Sequence, residues 1–370
     1  MDYKKINQIP MFFIVGIPRS GTTMLQQMLD ANPSVITPLE CRIVVHLKQR
    51  FFRIKTWTDQ KVNEFIEVLF EDQMFVSGWN VDKKQLSEAY HQIPLSEVSY
   101  TLLLKMAYYS YPSIYDKNEI RILGDKNPLY TMFIDEIKEI FPDAKFIHII
   151  RDYRANVLSN RKWFLRKKIS ILSHKWLVGN LFVEKQKSKN PTDFYTVRYE
   201  DLVDNPEKYA KEIAKFLNVG YTPSMISFHE KTNEVYHDSN SEKATTFHKE
   251  LVETLHENSI KPIHKDKVDT WKTELTPKEI ALADYVAADY AAKYNYKPLY
   301  HERSFEFWKK SIFGKIRNDF DMFVIREYQK FPTWLRKLFR HFSLMLFKVF
   351  GVAHIFNPEL NRQKRGVSKL

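Results

Sequence analysis

The stretch Met11-Phe-Phe-Ile-Val-Gly-Ile-Pro-Arg-Ser-Gly-Thr-Thr-Met-Leu-Gln-Gln-Met-Leu29 decides the fold. Its first five residues, Met11 to Val15, are all apolar, the signature of a short buried strand. Gly16 to Thr23 then turns the chain, and Met24, Leu25, Met28 and Leu29 recur at helical spacing. Strand, glycine-bounded loop and helix form the geometry that binds phosphate. Glycines let the backbone wrap an anion, and the N–H groups of the helix start point at it. The loop matches the phosphate-loop template except at one position: Gly16, Gly21 and Thr23 are in place, but Thr22 stands where the template has Lys. That Lys reaches the outer phosphates of a nucleoside triphosphate. Its loss argues against a kinase and for a smaller anion, with Arg19 supplying positive charge from within the loop.

Gly16-Ile-Pro-Arg-Ser-Gly-Thr-Thr23 resembles the 5′-phosphosulfate loop of the sulfotransferases, which take sulfonate from 3′-phosphoadenosine 5′-phosphosulfate (PAPS). A second phosphate signature lies downstream. Lys145 to Ile150 reads as a buried strand, followed by Arg151-Asp-Tyr-Arg154 and a helix carrying Ser159. This segment resembles the family's 3′-phosphate signature, with Arg151 and Ser159 as the matching ligands. Arg offers phosphate a planar fork, and Ser adds a neutral donor. Tyr153 departs from the Pro or Gly of many relatives. Arg154 is expected to pack or to pair with an acidic neighbour. The resemblance spans roughly residues 10–300 and implies an α/β fold: a central parallel β-sheet of the P-loop nucleotide-binding type, flanked by helices. It also implies nucleotide contacts from Arg19, Ser20, Gly21, Thr22, Thr23, Arg151, Ser159 and Tyr199, with Tyr199 against the adenine. The competing reading of Tyr199 is a core tyrosine.

The same resemblance suggests catalytic roles. Asp30 to Pro33 reads as a helix stop and Ser34 to Thr37 as a short strand, which brings Glu40 near the loop. The segment around Glu40 is similar to the Glu-Thr-Arg run of tyrosylprotein sulfotransferases. Glu40 falls on the general base and Arg42 on the Arg, taken as substrate-binding. Cys41 replaces the Thr. Leu39 replaces the preceding acidic residue, which counts against a peptide acceptor. Lys126-Asn-Pro128 matches the family's Lys-x-Pro, whose Lys approaches the transferred sulfonate. The catalytic set is therefore Glu40, Lys126 and Arg19. A helix-start carboxylate and a surface Lys are the bland alternatives for Glu40 and Lys126.

The remaining chain frames this set. Ile43 to Tyr115 has a mostly helical pattern, with Asp59 and Ser96 as expected caps, and its aromatic stripes read as core or as an acceptor pocket. Phe133 to Phe141 reads as a helix, Phe194 to Tyr199 as a strand, and Thr276-Pro277 as a helix start. His237, His248, His256 and His264 show no metal-ligand spacing, and no metal is expected. Residues 230–265 are polar and read as a solvated loop or as a segment closing over the cofactor, and the resemblance places Lys265, Lys267 and Trp271 where relatives close the site.

The 370 residues are 44% hydrophobic and carry a net charge of +12. That charge is uneven: residues 301–370 hold 15 Lys/Arg and 6 Asp/Glu, against 42 and 39 in residues 1–300. The chain divides accordingly into a domain over 1–300 and a basic amphipathic extension over 301–370. In the extension Trp308, Ile312, Phe313, Ile316, Phe320, Phe323 and Val324 recur at spacings of three and four. Leu335, Leu338, Phe339, Phe342, Leu346 and Phe350 repeat the pattern. Such helices lie on anionic bilayers or dock on a protein surface. The single Cys41 excludes an internal disulfide, and neither a signal peptide nor a spanning helix is evident. The expectation is a cytoplasmic enzyme with a peripheral membrane contact through residues 301–370. It would transfer sulfonate to a hydroxyl acceptor, a sterol or lipid alcohol in the first instance. A carbohydrate or protein tyrosine is the alternative acceptor. A non-catalytic phosphonucleotide binder is the further alternative. Nucleic acid ranks last, since charge alone suggests it.

Overall fold

The computed structural model describes residues 1–163, 168–237, 261–331 and 335. Its centre is a five-stranded, wholly parallel sheet: β1 (Met11–Val15), β2 (Val35–Ile36), β3 (Ile122–Lys126), β4 (Lys145–Ile150) and β5 (Phe194–Arg198), in the order β2-β3-β1-β4-β5. Met11, Phe13 and Val15 enter one core cluster, and Phe12 and Ile14 enter the cluster on the opposite face. A strand covered on both faces needs apolar residues at every position, so β1 reads as an unbroken run.

The helices Thr22–Asp30 and Pro206–Leu217 cover the face of Phe12 and Ile14. The aromatic-rich helices between residues 43 and 109 cover the other face. Phe51, Phe65, Trp79, Tyr90, Tyr100 and Tyr108 are all buried there, so these stripes are core. A third cluster joins Ile17, Ile150 and Tyr153 to the helices Ile169–Lys189 and Pro277–Ala291.

β1 lies between β3 and β4, the point at which the chain switches direction across the sheet. Loops at the carboxyl ends of such strands diverge and leave a crevice. Ile14 pairs with Lys126 on one side and Ile147 on the other, which sets the ends of these strands level with the Gly16 loop.

Local detail corrects three expectations. Thr58, not Asp59, caps the helix Asp59–Phe70, its Oγ1 accepting from the Lys61 amide at 3.3 Å. Asp59 occupies the first helical turn, where a carboxylate meets the positive end of the dipole. Ser99, not Ser96, caps Tyr100–Tyr109, because the cap must directly precede the first buried turn. Tyr199 opens the helix Tyr199–Asp204 instead of ending β5. Thr276 does cap the helix Pro277–Ala291, in a reciprocal capping box with Glu279.

The long helix Phe305–Lys330 packs on the helix Ile169–Lys189, and Phe307 joins the third core cluster. Residues 332–334 and 336–370, and with them the second amphipathic repeat apart from Leu335, lie outside the described residues, as do His248 and His256. Among the described residues no helix is long and apolar enough to cross a membrane.

Candidate functional site

Each of the five strands delivers a singled-out residue at or just beyond its carboxyl end. After β1 comes the loop Gly16–Thr23. Glu40 follows β2, Lys126 ends β3, Arg151 follows β4 and Tyr199 follows β5. The loop is pinned from outside. Gly16 N–H donates to Thr131 Oγ1 at 3.0 Å. Asn156 and Asn160, one helical turn apart, both donate to the Pro18 carbonyl at 2.9 Å, and Asn156 also reaches Ser20 Oγ. Gly21 sits at φ 97° as the cap of the helix Thr22–Asp30, with no side-chain capping bond. A Cβ at Gly21 would come within 2.5 Å of the Tyr199 ring, so this position requires glycine on both counts. Ser20 N–H is engaged by the Ile17 carbonyl, which leaves the N–H groups of the helix start for an anion.

The two phosphate signatures meet at Arg19. Its backbone is left-handed, at φ 73°, a strained state for a side-chain-bearing residue. Its Nε donates to Ser159 Oγ at 3.1 Å, and its carbonyl accepts from Arg151 Nη1 at 3.1 Å. Arg151 Nη2 donates to the Lys267 carbonyl, and the guanidinium lies 4.4 Å from the centre of the Tyr199 ring. Arg151 Nε is buried without a hydrogen-bond partner among the described residues. A buried guanidinium N–H left open on a side chain that grips the Arg19 carbonyl of the loop fits an anionic ligand. Tyr199 is therefore a floor beneath Arg151 and against Gly21.

Arg154, by contrast, is fully used by the protein. It grips Asp152 at 2.7 Å, donates to the Lys297 carbonyl and stacks on Trp271 at 3.9 Å. Tyr153 is buried, its hydroxyl donating to Asp284. Of the three residues expected to close the site, Lys267 contributes its carbonyl, Trp271 supports Arg154, and Lys265 pairs with Asp204.

On the β2–β3 side, Lys126 Nζ meets Glu40 Oε2 at 3.2 Å, with Lys126 almost wholly buried and Glu40 about one-third exposed. The Glu40 segment is held by its neighbours' carbonyls. Trp79 Nε1 donates to the Leu39 carbonyl at 2.7 Å, Tyr130 OH to that of Cys41 at 3.2 Å, and Tyr100 OH to that of Val44 at 2.7 Å. Arg42 is half-buried beside it, at the start of the helix Ile43–His46. Burial pushes the Cys41 thiol up, which suits an inert core sulfur and not a nucleophile. Burial also pushes the neighbouring Asp125 carboxyl up to about 7, while Tyr108 OH donates to it.

A family model described as Sulfotransferase family matches residues 10–223. The chain belongs to the sulfotransferase family. Among curated relatives it is 27% identical to protein-tyrosine sulfotransferase 1 of Danio rerio over 234 residues, 60% of this chain and 57% of that protein. It is 25% identical to the protein-tyrosine sulfotransferase of Drosophila melanogaster over 244 residues, 63% of this chain and 42% of that protein. The chain thus spans about half the length of these relatives. Nodulation protein NoeE of Sinorhizobium fredii matches over 81% of this chain and 70% of its own, at 24% identity. Among solved structures, the sulfotransferase domain of the Synechococcus PCC 7002 olefin synthase superimposes with a TM-score of 0.51. It is 20% identical and covers 78% of this chain and 95% of that domain, a likeness of fold.

Sequence reasoning missed the residues that hold this sulfotransferase-family site in shape: Thr131, Asn156, Asn160 and Trp79. Asn156 and Asn160 left a usable signal, two amides at i and i+4 on a helix that also carries Ser159. Thr131 and Trp79 left none, since their partners are 115 and 40 residues away.

Proposed function

We propose that the protein transfers a sulfonate group from PAPS to a hydroxyl acceptor in one in-line displacement. The observation that carries this reading is the convergence of Arg19, Arg151 and Ser159 beside a glycine-capped helix start. The helix-start N–H groups hold the 5′-phosphate, and Arg151 and Ser159 hold the 3′-phosphate. PAPS supplies the activated sulfonate. As the acceptor oxygen bonds to sulfur, the bond from sulfur to the phosphate oxygen breaks, and Glu40 takes the acceptor proton. A carboxylate is far too weak a base to ionise an alcohol beforehand, so proton transfer accompanies attack. Lys126, already within 3.2 Å of Glu40, offsets the negative charge growing on the leaving phosphate. Arg42 is the candidate contact to the acceptor.

The acceptor we propose is a lipophilic alcohol, a sterol or lipid headgroup presented at a membrane. Leu39 beside Glu40, and the exposed apolar surface described below, support it. A tyrosyl hydroxyl is the second reading, favoured by the relatives named above.

Calorimetric titration with 3′-phosphoadenosine 5′-phosphate, AMP and ATP, without magnesium, tests the donor site. The bisphosphate should bind best. Arg151→Ala should weaken it by about 30- to 100-fold, the worth of about 2–3 kcal/mol of charge-assisted hydrogen bonding. Equal binding of the three nucleotides, or a preference for ATP, overturns the assignment. Labelled PAPS offered with a sterol in vesicles, an oligosaccharide or a tyrosyl peptide then decides among acceptors.

A further inference from the structure

The helix Phe305–Lys330 is docked the wrong way round for a helix whose only task is to cover a core. Its inward face is largely polar. Asn318 and Asp321 are buried there, Ser311 Oγ meets His174 Nε2 at 3.1 Å, and Arg317 pairs with Asp321 at 3.1 Å. Gly314 rests on Ser170, where a Cβ would come within 2.7 Å of the neighbour's side chain. Phe307 and Met322 are the buried apolar contacts. The outward face carries Phe305, Trp308, Ile312, Ile316, Phe320 and Phe323, with Phe313 alongside, each between 38% and 66% exposed. Their steps of three and four residues trace one ridge about 27 Å long.

We infer that this ridge is the membrane-binding surface of the protein and that it lies in the interface of an anionic lipid bilayer. A continuous apolar ridge of this length on a folded protein marks an interaction site. Charge selects the occupant. Exposed Lys309 and Lys168 border the ridge, their ammonium groups lying 4.5 Å from the centre of the Phe305 ring and 4.8 Å from that of Phe313, while Lys310 and Lys315 are paired with Glu306 and Asp319 on the same helix. Residues 332–370, which continue the chain from this helix, carry eight Lys/Arg and one Glu. Neither that basic segment nor a second copy of a chain of charge +12 complements a lysine border. Anionic headgroups do, while the acyl region takes the aromatic and aliphatic side chains. The helix lies along the surface and is not a span.

The test uses the full chain and vesicles of phosphatidylcholine, with and without phosphatidylserine. Co-sedimentation should require the anionic lipid and weaken as salt rises. Combined Ile316→Asp, Phe320→Asp and Phe323→Asp should lower partitioning by at least about ten-fold. These positions are exposed, so binding of 3′-phosphoadenosine 5′-phosphate should be unchanged, which separates failure here from failure of the sulfonate-transfer reading. Ile316→Cys carrying a polarity-sensitive fluorophore should report an apolar environment on anionic vesicles, the one native cysteine being buried. Vesicle binding that survives the triple substitution, or a fluorophore that does not respond, overturns the proposal. So does a lipid-free dimer that the triple substitution splits, which assigns the ridge to a second copy.

Discussion

At the five strand ends, charged and polar side chains are drawn inward and fixed by neighbours. Along the helix Phe305–Lys330 large apolar side chains are turned outward. Arg151, Lys126 and Asn156 are buried in the first region, and Phe305, Ile316 and Phe323 are exposed in the second. Both regions run against the ordinary preference for burial, and in both the exception points to a ligand. Burying a cation is costly unless something meets it, and among the described residues Arg151 Nε has no hydrogen-bond partner. Leaving an apolar ridge in water forfeits burial energy that a partner surface would recover. The contrast implies that substitutions at the strand ends act on chemistry, those beneath the helix act on stability, and those on its outer face act on neither.

The largest effect expected is on rate. Glu40→Gln keeps the shape of the side chain but removes the carboxylate proposed to accept the proton. Turnover of labelled PAPS should fall by about 10²- to 10⁴-fold, some 3–5 kcal/mol in the barrier. Affinity for 3′-phosphoadenosine 5′-phosphate should hold. A variant that turns over normally removes Glu40 from the mechanism. Under the helix, Phe307→Ala empties a buried site and should cost about 3–5 kcal/mol in urea unfolding. A loss below about 1 kcal/mol would mean that the helix is not docked as described.

Asp125 sharpens the cost of burying polar groups. Its carboxyl is pushed up to about 7 by burial, from an ordinary ~3.9 in the unfolded chain. The folded state therefore favours the protonated form. The stability this contributes is complete below about pH 4 and is lost as pH rises towards 7, up to about 4 kcal/mol in all. His148, lowered to about 4 by burial, acts in the opposite sense, its contribution being lost as pH falls from about 6.5 to 4. The difference between the parent and Asp125→Asn isolates the carboxyl. It should shift against the parent between pH 5 and pH 8, and a flat difference refutes the raised value. The smallest effect belongs to the ridge: Ile316→Ser should leave stability within about 0.5 kcal/mol, read in the same unfolding experiment. A larger loss would show that Ile316 is part of a core.

Much of the fold was legible because short-range rules carry it. The runs Met11–Val15 and Lys145–Ile150 are strands with the expected bounds, since a strand covered on both faces admits little but apolar residues. Cap positions were less legible. Thr58 beside Asp59, and Ser96 near Ser99, offer two capping side chains each, and only the buried turn that follows selects one.

By itself the sequence determined the strand, glycine-bounded loop and helix of residues 11–29, because glycine placement and apolar runs are local properties; the parallel α/β class and the grouping of Arg19, Arg151 and Ser159 followed from its resemblance to the sulfotransferases. Tertiary structure alone decided three further matters. It turned Arg154 inward to Asp152 and Trp271, while Arg151 kept an open N–H. It supplied Thr131 and Trp79 from distant segments to hold the loop and the Glu40 strand end. It also set which face of the helix Phe305–Lys330 meets the protein. A periodic pattern states that a helix has two faces, but only the shape and polarity of the surface beneath it, here Ser170 and His174, select the face that is buried.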